Sequence, residues 1–234
     1  ALALGERPNL EFFRPMLSPF RARIPMHHPL YLQRNGETSD DYAKRSASEL
    51  ENKILEIGPD NVSGFVGETI MGGLVGDVPP AENYWQYIRE VCTRYDVHLI
   101  LDEVYCGTGT TGKIYCCDWD GIKPDFIFHF AAQSLVGASY KKPLYNFETN
   151  FNGTLNLLEV LRLSNFKCVS IMITSDKSYR NFEITRGYVE DDILGGDDPY
   201  SASKGTAEFV INSYFKSFLK NNRKLSIAVC RAGN

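Results

Sequence analysis

Residues 168–177, CVSIMITSDK, decide how this chain is read. An apolar run through Ile171, Met172 and Ile173 ends in two hydroxyls, a carboxylate and an ammonium, from Thr174, Ser175, Asp176 and Lys177. A short apolar run bounded in this way predicts a buried strand over 168–173. In open α/β sheets, ligands bind beyond the carboxyl ends of such strands. Outward from this point the pattern repeats, with strands over 126–130 and 225–230 and helices near 144–163, where Leu155, Leu158 and Leu161 form a core stripe, and 200–219. Further upstream, Val62 to Val66 reads as a strand ending at Glu68. Glu82 to Tyr95 has helical period through Tyr84, Tyr87, Ile88 and Val91, and Val97 to Leu101 is a strand ending in Asp102 and Glu103. Thr38 and Asp41 form a capping box for a helix reaching about Ile57, with Leu50, Ile54 and Leu55 on its apolar side. Pro8, Pro15, Pro19, Pro25 and Pro29 make residues 1–36 extended or looping chain. Alternating strands and helices predict an α/β fold, a three-layer, mostly parallel sheet with helices on both faces. Strand 126–130 would be the seam of that sheet.

The 234 residues, 43% hydrophobic and 23% charged, suit a globular chain of one large or two small domains. A net charge of −4 gives no general attraction to nucleic acid or to an anionic membrane, so neither is expected as a partner. No apolar run approaches the roughly 20 residues that span a bilayer, and the first residues lack the pattern of a cleaved leader. The cysteines at 92, 106, 116, 117, 168 and 230 form no CxxC pair, and with four histidines they complete no zinc spacing, so no metal site is expected. Adjacent Cys116 and Cys117 suit a reducing compartment, and a cytoplasmic location is the expectation.

The chemistry concentrates in Asp198-Pro199-Tyr200-Ser201-Ala202-Ser203-Lys204. Four residues separate Tyr200 from Lys204 at the start of a helix, which puts phenol and ammonium on one face. A phenol ionises near pH 10, and a cation beside the phenolate favours ionisation. With FHFAAQ at 128–133, NFNGT at 150–154, TSDKSY at 174–179, GGDDPYSASK at 195–204 and RAGN at 231–234, residues 128–234 resemble the extended short-chain dehydrogenase/reductases, within them the CDP-glucose branch of the sugar-nucleotide 4,6-dehydratases. That resemblance implies a nucleotide-sugar substrate and NAD. Tyr200 would take the proton of the sugar 4-hydroxyl and Lys204 would hold it ionised and meet the nicotinamide ribose. Ser175 would bond the 4-oxygen, Asp176 would serve as acid at the C6 hydroxyl, and Lys177, where most relatives have glutamate, would act at C5. Ala131, Ala132 and Gln133 would line the cofactor and Asn234 the substrate. Asn150 and Thr154 either support the nucleotide side or pack a helix, and His129 reads as a packing residue.

Upstream, GETI at 67–70, ILDEV at 100–104, CGTGTTGK at 106–113 and GIKPD at 121–125 resemble the large domain of the class III aminotransferases. There the residue matching Asp102 pairs with the pyridine nitrogen of pyridoxal phosphate, the alternative cofactor. Where that family continues to its Schiff-base lysine, Phe126 and Ile127 lead straight into FHFAAQ. Gly107, Gly109 and Gly112 satisfy G-x-G-x-x-G, but that fingerprint requires a following helix, and residues 113–125 show no helical stripe. The segment before 128, where a dehydratase carries its nucleotide-binding glycine loop, is therefore aminotransferase-like. The chain reads as a hybrid, 1–126 from one family and 127–234 from the other, with impaired dehydratase turnover expected. The sequence leaves the oligomeric state open, and the resemblance to two families that commonly form dimers allows a homodimer.

Overall fold

A computed structural model describes residues 15, 19–72, 75–107, 109–123 and 125–233. The chain divides into two compact units, Ala1–Ile122 and Lys123–Asn234. The fold class is α/β: every pair of neighbouring strands runs parallel, and helices flank the sheets.

In the first unit a short helix α1 (Pro29–Leu32) precedes α2 (Ser39–Ile57). Sequence reading missed α1, whose single turn begins at Pro29, where the ring fixes φ and no amide hydrogen is needed. The Thr38 hydroxyl caps α2, accepting from the Asp41 amide at 3.1 Å and donating to Asp41 Oδ2 at 2.7 Å. Strand β1 (Gly64–Glu68) is joined through α3 (Tyr84–Arg94) to β2 (His98–Asp102), and the register runs from Gly64 opposite His98 to Glu68 opposite Asp102. Tyr42, Leu50 and Ile54 of α2, Trp85, Ile88 and Val91 of α3, and the Phe65, Leu99 and Leu101 side of the strands enclose one apolar core. Burying each large side chain contributes about 1.5–3 kcal/mol. Gly67 is demanded by close packing, because a Cβ there would lie 2.7 Å from the Trp85 ring. Leu55, expected on the apolar side of α2, is 54% exposed, since it falls one position past the buried stripe that Leu50 and Ile54 define.

The second unit begins with β3 (Phe126–His129) and runs through α4 (Val136–Lys141), α5 (Pro143–Phe147) and α6 (Gly153–Leu163) to β4 (Cys168–Ser175). Helix α7 (Pro199–Tyr214) then leads to β5 (Leu225–Ala232). Between α5 and α6, residues Glu148–Asn152 form a π-helical turn with right-handed helical backbone on both sides, so 143–163 is one helical stretch with a bulge. The strand order is β3-β4-β5, with Phe126 opposite Val169 and Cys168 opposite Leu225. The strands thus belong to two sheets, β1-β2 and β3-β4-β5, and the strand read as a seam pairs with β4. Among the described residues no helix is long and apolar enough to cross a membrane, and no group of three or more His, Cys, Asp or Glu side chains could hold a metal ion.

Candidate active site

Helix α7 carries the centre of the second unit's polar interior. Asp198 caps it, accepting from the Ser201 amide at 3.0 Å, and Pro199 fills the first turn, where its missing amide hydrogen costs nothing. The glycine run before it allows a tight approach: a Cβ on Gly196 would lie 2.3 Å from the Ser201 Cβ. This start fixes the phase of the helix and turns Tyr200, Ser203, Lys204 and Glu208 inward, all nine-tenths or more buried.

Among the described residues the Tyr200 hydroxyl has no hydrogen-bond partner. Lys204 Nζ has one long contact, 3.5 Å to the Ile173 carbonyl near the end of β4. Burial lowers the Lys204 pKa from the ordinary lysine value, opposed by the Glu208 carboxylate one helical turn on. Across the sheet, His129 at the end of β3 lies 3.3 Å from the Thr154 hydroxyl, and burial with the Lys204 charge beside it lowers its pKa to about 4. It is a neutral packing partner at pH 7.

The end of β4 delivers Ser175, Asp176 and Lys177 in a tight turn. The Ser175 hydroxyl donates to Asp176 Oδ1 at 3.0 Å and accepts from the Lys177 amide at 3.2 Å. Ser175 is buried, Asp176 half-buried and Lys177 exposed. The turn holds its own side chains in mutual bonds, so reaching a ligand would require Ser175 to redirect its proton.

Gln133, in the loop after β3, is pinned through its backbone. Asn150 Oδ1 accepts from the Gln133 amide at 2.7 Å, while Asn150 Nδ2 donates to the Gln133 carbonyl at 3.0 Å and to the Ser203 hydroxyl at 2.9 Å. The π-helical turn places Asn150 for this, and Asn146 one turn earlier donates to the Pro199 carbonyl at 2.9 Å. Among the described residues the buried Gln133 side-chain Oε1 has no partner. Ala131 is exposed and Ala132 half-buried beside it. The structure thus brings the Gln133 loop, Tyr200 and Lys204 into one connected arrangement, while Asn234 lies outside the described residues. An orphan acceptor, a free phenol and a half-satisfied ammonium fit a ligand rich in hydroxyl and amide groups, as the nicotinamide riboside end of NAD is.

Asp102 does not fit pyridoxal phosphate in the same way. It ends β2 with Oδ1 accepting from the Val104 amide at 3.0 Å, capping its own turn. Glu103 is likewise spent on the Cys116 and Cys117 amides at 2.9 and 2.8 Å. The segment that should continue to a lysine becomes β3 of the second unit, so the group has no covalent anchor. The glycine loop after Tyr105 leads into turns and a short 3₁₀ segment at Cys116–Trp119 rather than the α-helix a dinucleotide loop requires.

Sequence reasoning missed Glu208, Arg231, Asn146, Ser203, Thr174 and Ser178 as parts of this interior. Thr174, Ser178, Ser203 and Arg231 stand inside the quoted motifs without an assigned role, and Glu208 continues the spacing of Tyr200 and Lys204 by four more residues.

Comparison with family models matches residues 1–139 to the class-III aminotransferases and residues 119–223 to the GDP-mannose 4,6 dehydratases. Both matches include 119–139, where a lysine, a proline and an aspartate precede an apolar strand. The diaminobutyrate–2-oxoglutarate transaminase of Halomonas elongata is 45% identical over 131 residues, which is 54% of this chain and 28% of that protein. The CDP-glucose 4,6-dehydratase of Salmonella typhimurium is 44% identical over 117 residues, 48% of this chain and 32% of that protein. A solved omega transaminase of Pseudomonas jessenii in complex with PMP is 35% identical over 53% of this chain and 27% of its own, with a TM-score of 0.48. The chain therefore spans about a third or less of the length of the curated relatives it matches. Through the first 139 of its 234 residues the chain belongs to the class-III aminotransferases, and joined to that portion is a 4,6-dehydratase-like segment, which makes it a hybrid of two families.

Proposed function

We propose that the second unit is the chemical half of the chain, a sugar-nucleotide 4,6-dehydratase-type lyase site acting on a nucleotide-linked hexose such as CDP-glucose. The observation that carries this reading is the buried pairing of Tyr200 and Lys204 on one face of α7, both with unspent hydrogen-bonding capacity among the described residues, on a helix tied through Ser203 and Asn150 to the Gln133 loop. NAD, when bound, would accept a hydride from sugar C4 and return it at C6. Tyr200 Oη would receive the 4-hydroxyl proton, and Lys204 would hold the phenolate by charge and donate to the cofactor ribose. The Gln133 Oε1 would accept a hydrogen bond from the nicotinamide side. At the end of β4, Ser175 Oγ would turn from Asp176 to the sugar 4-oxygen, freeing Asp176 to deliver a proton to the departing C6 hydroxyl, with Lys177 acting at C5. With aminotransferase-like sequence where the glycine loop would stand, turnover is expected to be weak.

The test is mass spectrometry of CDP-glucose incubated with the chain and NAD, reading loss of one water from the sugar. Product that vanishes in Tyr200→Phe supports the reading; no product at high enzyme concentration overturns it. A second reading, a pyridoxal phosphate-binding aminotransferase portion, draws on the longer family match and would require Asp102 to leave the Val104 amide. It expects a dialysis-resistant visible absorbance after adding pyridoxal phosphate, lost in Asp102→Asn. A chain that binds none of these small molecules yet melts cooperatively would be a non-catalytic hybrid.

A further inference from the structure

Glu208 is a carboxylate 5% exposed in the middle of a helix, and three other elements converge on it. From β5, Arg231 Nε lies 2.8 and 2.9 Å from its two oxygens and a terminal guanidinium nitrogen donates to Oε2. From β4, the Thr174 hydroxyl donates to Oε1 at 2.6 Å. From the turn that follows, Ser178 Oγ lies 2.9 Å from Oε1 and 2.6 Å from the Ser175 carbonyl, sharing one proton between them. Arg231 continues outward to the Tyr179 hydroxyl at 2.6 Å and the Glu190 carbonyl at 3.1 Å. Thr174 and Ser178 bracket Ser175, Asp176 and Lys177, and Glu208 stands one helical turn beyond Lys204, which itself stands one turn beyond Tyr200.

We propose that Glu208, clamped by Arg231, is a positioning residue that holds the Ser175–Asp176–Lys177 turn in register with Tyr200 and Lys204 and sets its negative charge one helical turn from Lys204. The inference rests on the dehydratase reading for its purpose and on bonds within the second unit for its substance. A carboxylate that served packing alone would need one counter-charge. This one also takes a hydroxyl from either side of the reactive turn, so a rotation of α7 would move both sets of groups together. Burial pushes the Glu208 pKa up, but the bonds from Arg231, Thr174 and Ser178 outweigh it and leave the net shift downward, so the group is ionised at neutral pH. The charged and titratable groups around Lys204 are Glu208 and Tyr200 on its own helix, His129 on β3 and Arg231 on β5. Of these, the Glu208 carboxylate is the one that opposes the effect of burial on Lys204.

The test uses the full chain with carbon-13-labelled lysine, the Lys204 signal assigned by its loss in Lys204→Arg. Glu208→Gln is expected to lower the Lys204 titration midpoint by about one pH unit, as loss of an opposite charge one helical turn away does, and Glu208→Asp to restore most of it. Amide exchange over residues 175–178 should rise about tenfold in Glu208→Gln and several-fold in Thr174→Val, which leaves the ion pair in place. An unchanged midpoint and unchanged exchange in a folded Glu208→Gln would overturn the proposal. Should that variant not fold, wild-type exchange in Thr174→Val would overturn it equally. Neither readout involves NAD or a nucleotide sugar, so a chain inert toward both would sink the dehydratase reading and leave this result standing.

Discussion

The two units hold themselves together by different means. The first encloses a single apolar cluster in which aromatic and aliphatic side chains of α2 and α3 seal the β1-β2 face. The second buries asparagines, serines, threonines, a lysine and a glutamate, and most of them bond to one another across elements. A buried polar group is tolerable only when satisfied, so such an interior specifies geometry more tightly than an oily one. The contrast separates what each unit has kept. The aminotransferase-like part keeps a core with its strand-end carboxylates turned into their own loops, whereas the dehydratase-like part buries Tyr200 and Lys204 with hydrogen-bonding capacity unspent among the described residues.

The strongest blow to this contrast would come from Ile88→Ala. Removing a fully buried aliphatic side chain from the first unit should cost about 2–5 kcal/mol in urea unfolding followed by Trp85 fluorescence. A cost below about 1 kcal/mol would mean that the apolar cluster is not what stabilises that unit. In the second unit the matching test is Asn150→Ala, which strands the Gln133 amide and carbonyl and leaves the Ser203 hydroxyl only its bond to the Tyr200 carbonyl. Buried groups left unpaired cost about 1–3 kcal/mol each, partly relieved by water, so a loss of roughly 2–3 kcal/mol is expected. Recovery of that stability by Asn150→Leu would show the network to be dispensable for folding.

Acid distinguishes the units less sharply, because each contains one histidine whose pKa is lowered to about 4. Burial is the larger cause at both; at His27 the neighbouring His28 adds to it, and at His129 Lys204 does. The unfolded chain takes up these protons near pH 6.5 and the folded chain only near pH 4. Stability is therefore full above about pH 6.5 and falls as pH drops through that window, by up to about 1.4 kcal/mol per pH unit for each group. His129→Gln should flatten the slope of the second unit alone, which unfolding monitored by amide exchange at several pH values would reveal. The smallest effect concerns thiols. Cys230 is exposed while Cys92, Cys106, Cys116, Cys117 and Cys168 are buried, so a maleimide pulse should modify Cys230 first without shifting the melting temperature.

Much of the fold was legible because periodicity is local. Leu50 and Ile54, or Tyr84, Ile88 and Val91, declare a helix face within a few residues, and the strands showed themselves as apolar runs ending in Glu68, Asp102 or Ser175. Leu55 misled because one residue on a helix is a 100° turn, which sequence averaging blurs at the edge of a stripe. Tyr200 and Lys204 were legible as a pair on one helical turn. Glu208 and Arg231 were not, because their meaning depends on partners from β4, β5 and the turn between β4 and α7. Asn146 and Asn150 likewise gain their roles only when the loop after β3 and the start of α7 arrive beside them.

The π-helical turn at Glu148–Asn152 makes the length of this segment a coded quantity. One surplus residue there advances everything on one side by a fixed angle relative to the other. Deleting a single residue from 148–152 would leave a smoother and locally more regular helix, yet it would swing the Asn146 face by about 100° against that of Thr154 and Leu158. Substitution tables would score such a change as mild, since every remaining letter is unaltered. The bulge works as a frame marker in three dimensions: the chain tolerates new side chains around it more readily than a new count.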